Sequence, residues 1–193
     1  MARAKSFDIE KAQQQAMQLF WQKGYAATSI EDLAQTLHLS RSSLYDTFGD
    51  KHTLFLTVLR LYSHQVVRRI ERLLNESSSP IAVLQTLFDE LIILVGTKKG
   101  DLGCFMVNSI AELVPYDSDV AEIAAAYSHT LQRLFTDALT RAAEQDLVTA
   151  EQTPTHLAAY VFNAIQGMRI LIKSGATREQ LQVISDITLH TLQ

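Results

Sequence analysis

The chain has 193 residues, 47% of them hydrophobic, enough to fill a core and too many for a disordered chain. Seven Gly, three Pro and no sustained period-2 alternation argue against a turn-rich β architecture. A single cysteine, Cys104, excludes an intramolecular disulfide and a zinc site built on a cysteine pair. The formal charge is −4, but residues 1–75 carry ten Lys/Arg against seven Asp/Glu, whereas residues 76–193 carry seven against fourteen, so an anionic partner would meet the N-terminal part.

The basic start, with Arg3 and Lys5, leads into Gln-rich sequence without an apolar signal core. Arg3 and Lys5 read either as an arm for phosphate or minor groove or as a plain polar terminus. Asp8 then caps a helix from Ile9 to Lys23, whose apolar residues Ile9, Ala12, Ala16, Leu19 and Phe20 recur at helical spacing, and Gly24 stops it. Thr28-Ser29-Ile30-Glu31 reads as a capping box in which Thr28 takes the amide of Glu31. It opens a short helix with Ile30, Leu33, Ala34 and Leu37 on one face. A turn at His38-Leu39 leads to Ser40 as a second N-cap and to a helix ending at Phe48-Gly49.

Asp50 caps a long helix to about Asn75, with Leu54, Phe55, Val58, Leu61, Tyr62, Val66, Ile70 and Leu73 inward. After the Ser77–Pro80 break, helices are expected at about 81–95, 104–114, 118–145, 154–174 and 178–192, with 96–103 an interhelical loop. Although 96–103 holds glycines and lysines, it lacks a Gly-Lys-Ser/Thr ending and follows a helix, so it is no phosphate loop. The fold expected is all-α, divided within the long helix into residues 1–52 and 53–193 without a flexible linker. The most apolar run, Leu91 to Val95, is too short to span a bilayer, and a cytoplasmic protein without membrane association is expected.

Residues 28–48 form a helix-turn-helix, two short helices joined by a tight turn. Burying Ile30, Leu33, Ala34, Leu37, Leu39, Leu44 and Phe48 against Leu19 and Phe20 leaves Arg41, Ser42, Ser43, Tyr45, Asp46 and Thr47 mostly facing out. Arg presents a fork to guanine O6/N7, Ser and Thr hydroxyls donate or accept, and Tyr45 offers a hydroxyl to phosphate and a ring to a thymine methyl. The helix N-termini near Thr28 and Asp50 point amides at phosphates, with the charge of Lys51 beside them.

Thr28-Ser29-Ile30-Glu31-Asp32-Leu33-Ala34, then Ser40-Arg41-Ser42-Ser43-Leu44-Tyr45-Asp46-Thr47-Phe48-Gly49-Asp50-Lys51 and Leu54-Phe55, resembles the DNA-binding domain of TetR/AcrR-type regulators over about residues 7–55. The resemblance implies about nine helices: three that bind DNA, some five that frame a ligand pocket and two that form a dimeric four-helix bundle. Carried onto this sequence, it implies DNA-backbone contacts at Thr28, Tyr45 and Lys51 and base reading at Arg41, Ser42 and Ser43; Ser29, Ser40, Asp46 and Thr47 complete the candidate DNA-contact residues. Two departures from the family pattern stand out. His38 stands where a turn Gly is usual, and Asp46-Thr47 replace aromatic or His residues. Asp46 would be repelled by phosphate and is read as accepting from a cytosine amino group or orienting Arg41.

The rest of the chain is read as an effector domain. Phe88, Cys104, Phe105, Asn108, Tyr127, Phe162 and Gln166 are its candidate pocket residues, with Tyr116, Tyr160, Met106 and Met168 as further possibilities. The amides of Asn108 and Gln166 stand on apolar helices and need a partner, a ligand or a neighbouring side chain. Cys104, at a helix start, reads either as a small buried residue or as an electrophile- or oxidant-responsive thiol of the sort that a Gly-Cys resembles in part of this family. A stripe on the last two helices (Val161, Ala164, Ile165, Met168 and Ile172, then Leu181, Ile184, Thr188 and Leu192) is read as a two-fold interface within about 154–192.

No metal, cofactor or catalytic constellation is expected: the six histidines form no ligand pair, and no nucleophile–base motif appears. The function expected is a homodimeric regulator, a repressor released from a palindromic double-stranded operator by a small apolar or electrophilic molecule. The alternatives are a helical enzyme or a dimeric interaction module using the C-terminal cavity.

Overall fold

The computed structural model describes residues 7–148 and 151–192, so Arg3 and Lys5 lie outside the described residues. Ten helices and no strand occur among them: α1 (Ile9–Lys23), α2 (Ile30–Leu37), α3 (Arg41–Phe48), α4 (Lys51–Glu76), α5 (Pro80–Ile93), α6 (Lys98–Leu102), α7 (Phe105–Leu113), α8 (Ser118–Glu144), α9 (Pro154–Lys173) and α10 (Arg178–His190). Nine have eight residues or more, as expected. The tenth, α6, interrupts the stretch read as loop. Thr97 caps it, and Gly100 allows its turn to lie against the end of α5, because a Cβ there would meet the Leu94 carbonyl oxygen at 2.2 Å.

Polar caps open most of the helices. Asp8, Ser40, Asp50, Ser79, Asp117 and Thr153 each accept a backbone amide from the first turn, and each such cap is worth about 1 kcal/mol. The capping box of α2 sits one residue later than Thr28. Ser29 accepts the Asp32 amide while Asp32 accepts from the Ser29 amide. Thr28 is fully buried, and its hydroxyl donates to the Gly24 carbonyl at 2.6 Å.

Helix α4 joins the two parts without a break: α1 and α3 pack on its first turns, α8 runs along its length, and α9 lies against α8. Phe20, Phe55, Phe105, Leu33, Leu44, Leu54, Met106 and Phe135 are almost wholly enclosed. One core thus continues from the helix-turn-helix into the larger part. No single helix among the described residues is long and apolar enough to cross a membrane.

The stripe expected to pair two subunits is largely used inside one. Val161, Ile165, Met168 and Ile172 of α9, Leu181 and Thr188 of α10, and the following Leu192 are buried, because α9 packs on α8 and α10 packs on α5 and α9. The apolar residues these helices leave in solvent are Tyr160, Ile170, Leu171, Val183 and Ile187.

Candidate nucleic-acid interface

Helix α3 stands on two buried side chains, Leu44 and Phe48, with Leu33 and Leu37 of α2 behind them. Arg41, Ser42, Tyr45 and Asp46 face solvent, and Ser43 and Thr47 are half-buried. The two residues on which a protruding reading helix depends are open: the Arg41 side chain is 64% exposed and Tyr45 is 47% exposed. Ser40 is occupied as the N-cap, accepting the Ser43 amide at 3.1 Å and hydrogen-bonding to the Ser42 and Ser43 hydroxyls at 3.0 and 2.9 Å. Arg41 is held by an exposed ion pair with Glu31 of α2, not by Asp46 as the sequence suggested. A pair so exposed is worth at most about 1 kcal/mol, so a base edge can replace it at small cost.

The turn keeps its geometry despite lacking glycine. His38 adopts the left-handed conformation at φ 54° and ψ 40°, and the Leu39 amide closes onto the Ala34 carbonyl at 3.0 Å. Asp32 also pairs with Lys23 at the end of α1 at 2.8 Å. That ammonium, together with the Ser29 amide and hydroxyl, holds the Asp32 carboxyl far below the usual carboxylate range.

The loop between α1 and α2 is gripped from two sides. Lys51 Nζ donates to the Tyr25 and Thr28 carbonyls at 2.9 and 2.8 Å and lies 4.2 Å from the Tyr25 ring centroid. From α7, the Glu112 carboxylate accepts the Tyr25 and Ala26 amides at 3.1 and 2.7 Å. Gly24 is required at the loop's start: its φ is +82°, and a Cβ would lie 3.0 Å from Glu112 Oε2. Two further links tie the head to the body: His52 to Asp117 at 2.8 Å, and Trp21 Nε1 donating to the Leu102 carbonyl at 3.2 Å. Two sequence assignments change as a result. Thr28 is withdrawn from the surface, and Lys51 is first a structural clamp, with one N–H left over for a phosphate.

The profile described as bacterial regulatory proteins, tetR family, matches residues 14–58. Over 189 residues the chain is 32% identical to the HTH-type transcriptional repressor ComR of Escherichia coli (strain K12), covering 97% of this chain and 90% of that protein. This chain belongs to the tetR family. It is also 29% identical, over the full length of both chains, to the HTH-type transcriptional regulator YezE of Bacillus subtilis (strain 168). Its structure superimposes with a TM-score of 0.84, at 25% identity and full coverage of both chains, on a cysteine mutant of the TetR-family transcriptional regulator CifR complexed with a 26-base-pair double-strand operator DNA. As a tetR-family member the chain is a DNA-binding transcriptional regulator and not an enzyme.

Beyond the helix-turn-helix, this regulator has a cavity of about 660 Å³ between α1, α4, α5 and α9. Its walls differ from those expected. Phe88 and Tyr127 are core residues, and neither Phe162 nor Phe105 lines it; Met17, Trp21, Tyr62, Leu91 and Ile165 do. Phe105 and Asn108 instead face a smaller space of about 390 Å³ beneath the α1–α2 loop. Asn108 needs no ligand: its Nδ2 donates to the Leu102 carbonyl at 2.8 Å and its Oδ1 accepts from Lys173 at 3.1 Å. Gln166 is different, since its Oε1 is buried without a hydrogen-bond partner. Cys104, 1% exposed, has its Sγ 3.3 Å from the Tyr62 hydroxyl. Tyr116 and Tyr160 lie in solvent at 89% and 43% exposure, far from any cavity-lining role.

A clamp of two charge-assisted hydrogen bonds gives a direct expectation. Lys51→Met keeps the aliphatic stem but frees both carbonyls, and it should lower the unfolding free energy by about 1.5–3 kcal/mol. Urea denaturation measures this, and an unchanged midpoint would show that Lys51 does not hold the loop.

Proposed function

We propose that this regulator is a homodimeric repressor. Residues 1–52 bind a palindromic double-stranded operator, and residues 53–193 dimerise and hold a small-molecule effector that releases the DNA. The carrying observation is the open outer face of α3 on a rigid support. A groove-reading helix needs both, because mobile donors would lose their discrimination between bases to ordering entropy.

On this reading Arg41 exchanges Glu31 for the O6/N7 edge of a guanine, and Ser42 and Ser43 lie against neighbouring base edges. Tyr45 meets a phosphate or a thymine methyl, while Asp46 and Thr47 follow the groove wall. Ser29, Ser40 and Lys51 sit at helix starts where amides face phosphates. Selection of bound duplexes from a random pool should return a two-fold symmetric site with half-sites about 34 Å apart. Arg41→Ala should lose about 1–3 kcal/mol on that site and relax preference at one position per half-site. Normal affinity in that variant removes Arg41 from base reading.

The dimer surface we infer is the face that α9 and α10 leave open. Tyr160, Gly167 and Leu171 fall on one side of α9, where nothing lies within 4 Å of a Cβ built on Gly167. Val183 and Ile187, 52% and 56% exposed, are i, i+4 neighbours on α10. Two copies of this surface make a self-complementary four-helix contact. Ile187→Asp should shift light-scattering mass from dimer to monomer. Operator affinity should fall by roughly a hundredfold or more, since the second half-site no longer binds as part of one body. A dimeric Ile187→Asp protein with intact affinity places the interface elsewhere.

Effector control needs a rigid path from cavity to reading head. Trp21 lines the cavity on the last turns of α1 and hydrogen-bonds to Leu102; the loop that follows α1 is held by Glu112. Displacement of α1 or α4 by a ligand would therefore carry α2 and α3 with it. A reversible ligand fits better than an electrophile, because Cys104 is enclosed. In Glu112→Ala the Tyr25 and Ala26 amides should exchange with solvent at least about tenfold faster, and operator affinity should drop. If both stay unchanged, the head is not coupled to the body through Glu112.

A further inference from the structure

The cavity wall carries a guanidinium, that of Arg169, with no carboxylate partner among the described residues. Arg169 stands on α9 with Nε buried and without a hydrogen-bond partner. Glu90, which also lines the cavity, is taken by Arg69. Lys99, on the same cavity, adds a second cation that forms no ion pair among the described residues. One turn before Arg169, Gln166 leaves its buried Oε1 unmatched. Burial works against the guanidinium charge, the facing Cys104, Tyr62 and Tyr127 and a side-chain contact with Cys104 work for it, and the net shift of Arg169 is upward. A charge drawn out of water without an opposite charge is costly, and a ligand that supplies one relieves that cost.

Much of the remaining lining is apolar or aromatic, with Met17, Trp21, Val66, Leu87, Leu91 and Ile165, while Gln14, Gln18, Gln65 and Arg69 add polar groups. A mostly apolar space of this size with convergent polar groups at one place is the usual form of a small-molecule site. We propose that the effector is an amphipathic organic acid. Its carboxylate sets against Arg169 within reach of Tyr62, and its hydrocarbon part lies on Trp21 and the aliphatic wall. The assignment rests on the effector-release reading only for its consequence at the operator; binding of the acid stands by itself.

The chain's one tryptophan, Trp21, lies in the cavity and reports occupancy by its fluorescence. The full-length protein is titrated with octanoate and phenylacetate, and in parallel with octanamide and phenylacetamide, which match them in shape but lack the charge. At least one acid should bind at least tenfold more tightly than its amide. Arg169→Gln should bring that acid down to the affinity of its amide, and Arg169→Lys should restore part of the difference. Circular dichroism verifies that both variants fold. Equal binding of acid and amide by the unaltered protein overturns the proposal, since it would mean that Cys104 or another internal group already balances Arg169. Absence of binding by either acid, or an undiminished preference in a folded Arg169→Gln, overturns it as well. Operator retention measured in the same titrations separates the two claims. An acid that binds through Arg169 yet leaves the DNA complex intact keeps the site and removes the release mechanism.

Discussion

The structure depends on how one short loop, residues 24–29, has its polar backbone satisfied. Its Tyr25 and Thr28 carbonyls are claimed by Lys51 from α4 and its Gly24 carbonyl by the Thr28 hydroxyl; the Tyr25 and Ala26 amides go to Glu112 from α7, and those of Gly24, Thr28 and Ser29 to the Phe20 and Tyr25 carbonyls and the Asp32 carboxylate. Two backbone bonds do not fix a loop by themselves, so these side chains complete its hydrogen bonding. Because Lys51 and Glu112 come from different helices, the loop fixes the angle between α1 and α2 and the seat of the whole head on the body. Phe20, Tyr25, Phe55 and Phe105 fill the space beneath, with Tyr25 and Phe55 at 4.9 Å and Phe20 and Phe55 at 5.1 Å between ring centroids. Polar clamp and aromatic core thus act on the same joint.

That joint explains how a chain of net charge −4 can serve an anionic partner. The overall sign is set by the larger part, while the exposed surface of α3 carries Arg41 and hydroxyls. Of the charges near the head, Lys23 is held by Asp32, Lys51 by two carbonyls and Arg41 by Glu31. The Arg41–Glu31 pair is the most exposed of these, so Arg41 is the cation of the three that a competing partner can displace at least cost. Charge counting finds the right end of the molecule; hydrogen-bond geometry finds which charge is free to act.

The helix-turn-helix was legible because its signals are local: Ser40 before Arg41, Gly49 after Phe48, and apolar residues at i, i+3, i+4 and i+7. The capping box was misplaced by one residue for a similarly local reason. Thr28-Ser29-Ile30-Glu31-Asp32 contains two overlapping solutions, Thr28 with Glu31 and Ser29 with Asp32, and only burial of Thr28 against Gly24 selects the second. The pairing surface and cavity were harder, since periodicity marks an apolar face without saying what covers it. Val161 and Met168 met α8, whereas Val183 and Ile187 met nothing. Asn108 and Gln166 look alike in sequence, and only long-range packing gave one its two partners and the other none at Oε1. Arg169 escaped notice because an arginine near a helix end is ordinarily solvated.

Cavity and reading head share α1 and α4, which sets a condition on any ligand that works through them. A molecule filling the cavity equally well in the DNA-bound and released arrangements would shift nothing, however tightly it held. Control requires the two arrangements to differ in the cavity itself, and its walls supply the means. Trp21 and Tyr62, 5.3 Å apart between ring centroids, stand on α1 and α4, and Arg169 stands on α9. A group bridging Arg169 to the aromatic pair would respond to the separation of these three helices, and by linkage operator binding would change the ligand's affinity by the same factor. A stiff clamp at residues 24–29 would make such coupling efficient, because strain placed on α1 would then pass to α3 and not be lost in the loop.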